Sequence, residues 1–145
     1  MAEFKYQEPF PIQKDSTEYR LLTKDYVKTI EVEGRKILKI QKEGLELLAR
    51  EAYTDVSFYL RASHLQKLAN ILKDPEASDN DKFVAHTMLM NQVVAAAGEL
   101  PTCQDTGTAI AIGKKGENVW TDGNDAEAIS KGVFETYRDH NLRYS

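Results

Sequence analysis

The chain has 145 residues, of which 41% are hydrophobic and 29% are charged, and its formal net charge at pH 7 is −4. These values are typical of one globular domain or of part of a larger one, and the acidic balance argues against nucleic acid or an anionic membrane as a partner. The single cysteine excludes an intrachain disulfide and a metal site built only from cysteines of this chain. With no apolar run of about 18 residues and no apolar signal core after Met1, the sequence predicts a soluble, cytoplasmic protein.

Residues 1–17 are predicted to form an extended arm, and residues 18–145 are predicted to form an α+β body. In the arm, Pro9 and Pro11 push the residues before them away from helical backbone angles. The body begins with a predicted β-hairpin near 26–40, because β-branched residues are frequent there and Gly34 lies at the point where a turn is needed.

Apolar residues then recur with a helical period, which predicts three successive helices. The inward face of the first consists of Leu45, Leu48, Ala49, Ala52, Tyr53, Val56 and Leu60. The second begins after Ser63 as its N-cap and ends at Asp74-Pro75, and the third begins at Ser78. For the third helix we expect an inward face of Phe83, Val84, Thr87, Met88, Asn91, Val94 and Ala95.

The last third of the chain predicts a short strand near 107–113, a turn at 113–116 and a segment 118–120 that pairs back. A fourth helix is predicted over 125–140, with Ala126, Ile129, Val133 and Tyr137 on one face. Gly132 inside this helix costs about 1 kcal/mol relative to alanine. The predicted fold is therefore α+β, with about four helices packed against a small mixed sheet.

The segment 102–107, which we call the cysteine loop, concentrates the chemically versatile side chains of the chain. It places the thiol of Cys103, the amide of Gln104 and the carboxylate of Asp105 next to one another, between Thr102 and Thr106. Loops held between regular elements are where binding and catalytic groups gather. The same residues also fit a loop with local turn hydrogen bonds and a small buried cysteine, and the pattern leaves both interpretations open.

Two further signals come from cationic side chains. The segment 107–115 superficially resembles a phosphate-binding loop, but its glycines are one residue too far apart and Lys115 stands where a serine or threonine is needed. We therefore expect Lys114 and Lys115 to be turn residues. Arg138 and Arg143 flank the end of the fourth helix, and each is either a surface charge favoured by the helix dipole or a guanidinium for a substrate carboxylate.

Longer motifs give the sequence a family resemblance. Residues 100–109 are Leu-Pro-Thr-Cys-Gln-Asp-Thr-Gly-Thr-Ala, and residues 113–116 and 119–121 are Gly-Lys-Lys-Gly and Val-Trp-Thr. With these motifs the chain resembles the N-terminal part of the class I, iron–sulfur fumarate hydratases. The resemblance extends in order through nearly the whole chain, including the segments 7–11, 17–19, 47–50, 74–82 and 141–145. The core of the cysteine loop is shared with the two-subunit tartrate dehydratases, whereas the flanking segments are more similar to the single-chain fumarases.

The resemblance implies a specific chemistry. Members of the family hold a 4Fe–4S cluster through three cysteines, leave one iron open for substrate and add water reversibly to fumarate to give malate. By this resemblance Cys103 is one of the three cluster ligands, Gln104 and Asp105 contact the substrate, and Arg143 binds a substrate carboxylate. The same resemblance implies that Asp105 also takes part in proton transfer. The family resemblance further implies a homodimer of the full-length enzyme.

The family chains are several-fold longer, so the resemblance places the other two cysteines and the catalytic base beyond residue 145. We therefore expect this chain to be a front segment of a hydro-lyase, with the remainder of the enzyme absent, and to be inactive by itself. Two alternatives stay open: a non-catalytic interaction or assembly module, and a hydratase that acts on tartrate or a related dicarboxylate. A nucleophilic Cys103 is a third, but it needs a neighbouring base such as histidine, which no sequence feature provides.

Overall fold

The computed structural model describes residues 3–8, 11 and 18–144, and the fold class is α+β, as the sequence predicts. The strands are β1 (Val27–Val32), β2 (Arg35–Ile40) and β3 (Val119–Thr121). The helices are α1 (Lys42–Phe58), α2 (Ala62–Ile71), α3 (Asp79–Ala95) and α4 (Asp125–Asp139). Most of the predicted arm over 1–17 lies outside the described residues, so the division between arm and body stays a prediction.

The predicted β-hairpin is confirmed as β1 and β2, which pair antiparallel as far as Val32 opposite Arg35. The two residues between them, Glu33 and Gly34, have φ angles of 49° and 76°. Two consecutive positive φ angles are those of a type I′ turn, whose twist matches the twist of the strands that it joins. The hairpin is therefore determined locally, by the turn residues and the β-branched stretches on either side.

The third strand of the sheet lies at the predicted segment 118–120, but its partner is not the predicted one. β3 pairs parallel with β2, with Leu38 opposite Val119, so the sheet is mixed and its order is β1-β2-β3. The predicted strand near 107–113 is wrong, because these residues belong to no strand and Ile110 is 75% exposed. An apolar stretch becomes a strand only when its backbone pairs with a neighbouring strand, and residues 107–113 pair with none of the three strands of the sheet.

Helices α1 and α4 pack along each other so closely that only glycine fits at position 132. A Cβ atom at Gly132 would meet the carbonyl oxygen of Glu46, and it would lie 2.9 Å from the Cβ of Ala49 and 3.0 Å from the amide nitrogen of Arg50. Thr136, one turn later and fully buried, donates its hydroxyl hydrogen to the carbonyl oxygen of Arg50 at 3.0 Å. Gly132 lowers the intrinsic helix propensity of α4, but it permits the close contact between the two helices.

The first turn of α3 follows the sequence prediction, and the first turn of α2 does not. Ser78 is the N-cap of α3, since its hydroxyl accepts from the Asp81 amide at 3.2 Å and its own amide donates to the Asp81 carboxylate at 3.0 Å. The predicted N-cap of α2, Ser63, lies inside the helix, which begins at Ala62. The Arg61 carbonyl already accepts hydrogen bonds from the amides of residues 64 and 65, so backbone geometry starts this helix without a side-chain cap.

Helix α3 buries a different face from the predicted one. Its buried residues are Ala85, Gln92 and Ala95, of which only Ala95 belongs to the predicted inward set. Phe83, predicted to lie in the core, is 69% exposed, and Val94 is exposed as well. The prediction was wrong because α3 carries apolar residues around most of its circumference, so the apolar period does not select one face.

Only part of the predicted faces of α1 and α4 is buried, and the buried residues Ala128, Gly132 and Thr136 of α4 lie outside its predicted face. Ala49 of α1 and Tyr137 of α4 are buried, as predicted, whereas Leu48 and Val56 of the predicted α1 face are exposed. Phe58, at the end of α1 and outside the predicted set, is almost fully buried. None of the helices in the part of the chain that the structure describes is long and apolar enough to cross a membrane.

Candidate functional site

The cysteine loop borders an open cavity of about 280 Å³ between α1 and α4. Tyr53 and Ser57 line the cavity on the side of α1, and Tyr137 lines it on the side of α4. Cys103 and Asp105 lie in the wall between them. Burial, and to a lesser extent the neighbouring Tyr137, raises the pKa of the Tyr53 phenol above its usual value, so the Tyr53 hydroxyl on this cavity wall is neutral at physiological pH.

The N-terminal end of the cysteine loop is bound to both α1 and α3. The Thr102 amide donates to the Ser57 carbonyl at 2.7 Å, and the Asn91 side-chain amide donates to the Thr102 carbonyl at 2.7 Å. The Thr102 hydroxyl donates to the side-chain oxygen of Gln92 at 3.3 Å. Gln92, buried inside α3, donates in turn to the Phe58 carbonyl at 2.6 Å. Residue 102 is therefore fixed by hydrogen bonds on both its main chain and its side chain.

The C-terminal end of the cysteine loop is bound to α4 and to the segment that follows it. The Tyr137 hydroxyl donates to the Thr106 carbonyl at 2.7 Å and lies 3.4 Å from the Gly107 carbonyl. The Thr106 hydroxyl donates to the Arg143 carbonyl at 2.7 Å. Leu142 is buried and its amide donates to the Tyr137 carbonyl at 2.9 Å, so the segment that carries Arg143 folds back onto α4.

The three middle residues of the loop are exposed between these two bound ends. Cys103 is exposed, in contrast to the small buried cysteine of the structural interpretation, and its Sγ accepts a hydrogen bond from the Asp105 amide at 3.4 Å. The Asp105 carboxylate is exposed beside the cavity. Gln104 is also exposed but does not line this cavity.

The structure distinguishes Arg138 from Arg143, for which the sequence left the same two roles open. Arg138 bonds to Asp139 at 2.7 Å, which raises the pKa of its guanidinium, and it also lies over the Phe134 ring. It is therefore engaged on the surface of α4. Arg143 has its main chain bound to the cysteine loop through Thr106 and its side chain exposed. Of the two residues, Arg143 is the one whose main chain contacts the cysteine loop, and its side chain does not line the cavity.

The lysines after the cysteine loop lie in an irregular segment, and the hydrogen-bonded turn comes after them, at residues 116–119, and not at the predicted 113–116. Lys115 donates to the Asp125 carboxylate at 2.7 Å and to the Thr121 hydroxyl at 3.1 Å, which joins this segment to β3 and to the first residue of α4. Lys114 pairs with the carboxylate of Glu8. Both ammonium groups therefore have protein carboxylates as partners, which argues against a phosphate site in this segment.

Cys103 fits one ligand of a metal cluster and not a complete site. In residues 3–8, 11 and 18–144 no group of three or more histidine, cysteine or acidic side chains converges on one point. The Cys103 thiol is nevertheless exposed, and an amide N–H points at its sulfur. Such N–H donors stabilise a thiolate, and hydrogen bonds to the sulfurs are one of the means by which proteins adjust iron–sulfur clusters. The residues present therefore fit one corner of a cluster.

Sequence reasoning missed the residues that bind the ends of the loop. Asn91 was assigned to the core although it is exposed and bonds to the loop, and Gln92 was not singled out although it is buried. A signal for both is present, because two adjacent amides interrupt the otherwise apolar run Met-Leu-Met before them and Val-Val after them. Buried amides need hydrogen-bond partners, and here the partners are loop and helix-end carbonyls.

Comparisons with known proteins identify the family of the chain. The family model described as "Fumarate hydratase (Fumerase)" matches residues 46–145. The aerobic class I fumarate hydratase of Escherichia coli strain K12 is 58% identical over 142 residues, which are 98% of this chain and 26% of that protein. The anaerobic class I enzyme of the same strain gives the same values, and fumarate hydratase 2 of Leishmania major is 52% identical over 83% of this chain and 21% of its own length.

The matched residues contain the cysteine loop, α4 and the segment that carries Arg143. The chain therefore belongs to the fumarate hydratase family, a family of hydro-lyases, and the resemblance to its class I members is confirmed. It spans about a quarter of the length of these relatives.

Proposed function

We propose that this chain forms part of a 4Fe–4S-dependent hydro-lyase that reversibly hydrates fumarate to malate, and that it supplies one cluster cysteine and part of the dicarboxylate site. The observation that supports this most directly is the cysteine loop itself. Its main chain is bound at both ends, while Cys103 and Asp105 are exposed on the wall of one cavity. A fixed main chain with exposed side chains is the arrangement that a preorganised site requires.

Cys103 is the proposed cluster ligand. Thiolates are the protein ligands that iron–sulfur clusters take, and hydrogen bonds to the sulfurs, such as the one from the Asp105 amide to Sγ at 3.4 Å, adjust such clusters. When bound, the cluster supplies an open iron that acts as a Lewis acid without a redox change. The chain holds the sulfur on a loop whose backbone is bound to α1, α3 and α4, which limits how far Cys103 can move.

Asp105, Gln104 and Arg143 are the proposed substrate contacts. Hydration forms a C–O bond at one alkene carbon of fumarate and a C–H bond at the other, so a proton has to move at the water oxygen. The exposed carboxylate of Asp105 is suited to hold or transfer that proton. The Gln104 amide can donate to a substrate carboxylate, and the Arg143 guanidinium can bind one with two parallel hydrogen bonds. Because the chain carries a net charge of −4, a dianionic substrate needs such a local cation.

Reconstitution of the natural protein, meaning the complete hydro-lyase of which this chain is proposed to form part, with iron and sulfide and without oxygen, tests the proposal. We expect the protein to acquire the absorption and electron paramagnetic resonance signals of a cluster and to convert fumarate to malate. Cys103→Ser is expected to lose both, because a hydroxyl is a poor ligand for a cluster iron. Ser63→Ala, an exposed substitution in α2, serves as the control that keeps both. If Cys103→Ser retains full cluster content and full fumarate hydration, the cysteine assignment is wrong, and turnover of tartrate without turnover of fumarate would contradict the substrate assignment.

A further inference from the structure

The cysteine loop and the Arg143 segment are joined by a short series of hydrogen bonds that centres on Thr106. The Thr106 carbonyl accepts from the Tyr137 hydroxyl at 2.7 Å, and the Thr106 hydroxyl donates to the Arg143 carbonyl at 2.7 Å. Thr106 therefore binds α4 through its main chain and the segment after α4 through its side chain. Its own hydroxyl is directed to a backbone carbonyl, and the residue next to it is Asp105.

The Arg143 segment is itself immobilised on both sides of residue 143. Before it, Leu142 is buried and its amide donates to the Tyr137 carbonyl at 2.9 Å. After it, the Tyr144 ring packs against the Tyr137 ring with centroids 5.7 Å apart. Tyr137 thus contacts the cysteine loop with its hydroxyl and the Arg143 segment with its carbonyl and its ring. The two segments that carry the proposed substrate groups therefore share one support.

We infer that Thr106 and Tyr137 are positioning residues that fix the separation between the cysteine loop and Arg143. The inference rests on the proposed function, because the groups being positioned are those assigned to the cluster and to the dicarboxylate. Fumarate is rigid and planar, so the groups that bind its carboxylates and move its proton must stand at fixed distances from one another. Displacements of about 1 Å in such a site can reduce the rate about 100-fold. Thr106 acts through Asp105 and Arg143 and needs no contact with the substrate.

Replacement of the Thr106 hydroxyl tests the inference in the reconstituted natural protein. Thr106→Val keeps the side-chain shape but removes the donor to the Arg143 carbonyl, and we expect kcat/KM for fumarate to fall about tenfold, mainly through KM, with cluster content unchanged. Thr106→Ser keeps the hydroxyl and should restore kcat/KM to within about twofold of the natural value. Thr87→Val is the matched control, since the Thr87 hydroxyl bonds within its own helix to the Phe83 carbonyl, and it should leave the kinetics unchanged. Equal losses in Thr106→Val and Thr106→Ser, or no loss in either, would overturn the inference.

Tyr137→Phe provides a second variant in case Thr106→Val does not fold. It removes only the hydroxyl that donates to the Thr106 carbonyl and keeps the ring against Tyr144. We expect the same rise in KM, and Tyr59→Phe, which changes an exposed phenol outside the cavity, should show none. Natural kinetics in Tyr137→Phe would contradict the positioning role.

Hydrogen–deuterium exchange tests this inference independently of the proposed function, because the measurement needs neither catalytic turnover nor substrate. In Thr106→Val the amides of 103–108 and 141–144 should exchange faster together, while those of α2 keep their natural rates. If the natural protein fails to hydrate fumarate, the proposed function is wrong, and the exchange data still decide whether Thr106 couples the two segments. Unchanged exchange in both segments would refute the coupling.

Discussion

At the scale of single residues, the candidate site combines a fixed main chain with exposed functional groups. The carbonyl of residue 102 accepts from Asn91 and the carbonyl of residue 106 accepts from Tyr137, so each end of the cysteine loop has a donor from a different helix. Between them, Cys103 and Asp105 are exposed beside the cavity. A loop that is fixed in this way loses little conformational freedom when a ligand binds, which favours binding and catalysis alike.

Asp105→Asn should separate proton transfer from cluster binding. The amide keeps the size of the side chain but cannot act as a proton acceptor, so we expect kcat to fall about 100-fold to 10,000-fold, the usual range for a lost general acid–base group. Cluster content should remain at the natural level, because the Asp105 amide that points at Cys103 belongs to the main chain. Asp79→Asn, on the first turn of α3, is the control with natural kcat. Full turnover together with loss of the cluster would reverse the proposed roles of residues 103 and 105.

Arg143→Ala should weaken substrate binding. A charge-assisted pair of hydrogen bonds contributes about 1.5–3 kcal/mol, which corresponds to a rise of about 10-fold to 100-fold in KM for the dicarboxylate. Steady-state kinetics with fumarate measure this change. The control is Arg138→Ala, whose guanidinium is engaged with Asp139 and should leave KM unchanged. An unchanged KM in Arg143→Ala would show that Arg143 is a surface charge and not a substrate contact.

At the scale of secondary-structure elements, the contact between α1 and α4 supports the site, because α1 carries Ser57 and α4 carries Tyr137. The Lys131–Glu46 ion pair at 2.7 Å and the Thr136–Arg50 hydrogen bond at 3.0 Å also join the two helices. A shift of one helix along the other would move one end of the cysteine loop relative to the other. Stability of this helix pair is therefore a requirement for the geometry of the loop.

Gly132→Ala should destabilise the protein although alanine is the better helix former. The added Cβ meets the Glu46 carbonyl oxygen and two further atoms of α1, and overpacking of this kind costs about 1–3 kcal/mol. Since the propensity gain of about 1 kcal/mol offsets only part of that cost, we expect a lower thermal midpoint. Gly113→Ala is the matched control, because a Cβ at residue 113 meets no atom within 4 Å. A thermal midpoint equal to or above the natural value in Gly132→Ala would show that the helices separate without cost.

The Asp125–Lys115 pair should make stability depend on pH in the acid range. The hydrogen bond from Lys115, and after it one from Thr121, lowers the pKa of the Asp125 carboxyl below its usual value. A carboxyl whose pKa is lower in the folded state contributes its stabilisation fully above its unfolded pKa of about 3.9 and loses it as the pH falls through the folded value. The stability difference between the natural protein and Asp125→Asn, measured by denaturant unfolding, should therefore shrink below about pH 4. A difference that stays constant down to pH values well below the usual carboxyl range would exclude this contribution.

Predictions from the sequence succeeded where neighbouring residues decide the structure. The hairpin follows from Glu33-Gly34 and its flanking stretches, and the start of α3 follows from Ser78 and Asp81, all within a few residues. The strand near 107–113 and the inward face of α3 were wrong because both depend on distant partners: a strand with which residues 107–113 could pair in one case, and the Phe58 carbonyl that Gln92 reaches in the other. For the site, the loop residues could be found from their types, but their support by Asn91, Gln92 and Tyr137 required the fold.

At the scale of the whole molecule, the chain exposes more surface than a compact protein of its mass. Its accessible surface is 12029 Å², whereas a compact monomer of this mass is expected to expose about 7,500 Å². Part of the additional surface is apolar and lies on α3, where Phe83 and Val93 are exposed, and at Ile110 and Ile112 after the cysteine loop. The chain that carries these apolar groups and the cavity spans about a quarter of the length of its class I relatives. The chain therefore has the surface properties of one part of a larger packed body.

The chain alone should neither hold a stable cluster nor hydrate fumarate. One thiolate per chain cannot occupy the three protein-ligand positions of the proposed 4Fe–4S cluster, and among the residues that the structure describes no group of three or more histidine, cysteine or acidic side chains converges on one point. After reconstitution without oxygen and gel filtration, we expect negligible iron and sulfide on the 145-residue chain. Co-expression with a polypeptide that corresponds to the remaining length of its class I relatives should bring iron, sulfide and fumarate hydration together, and Cys103→Ser in the same pair should abolish all three. A full complement of iron on the isolated chain would contradict the role of Cys103 as one ligand among three, whereas a tight pair of polypeptides without cluster or turnover would favour an assembly module over an enzyme.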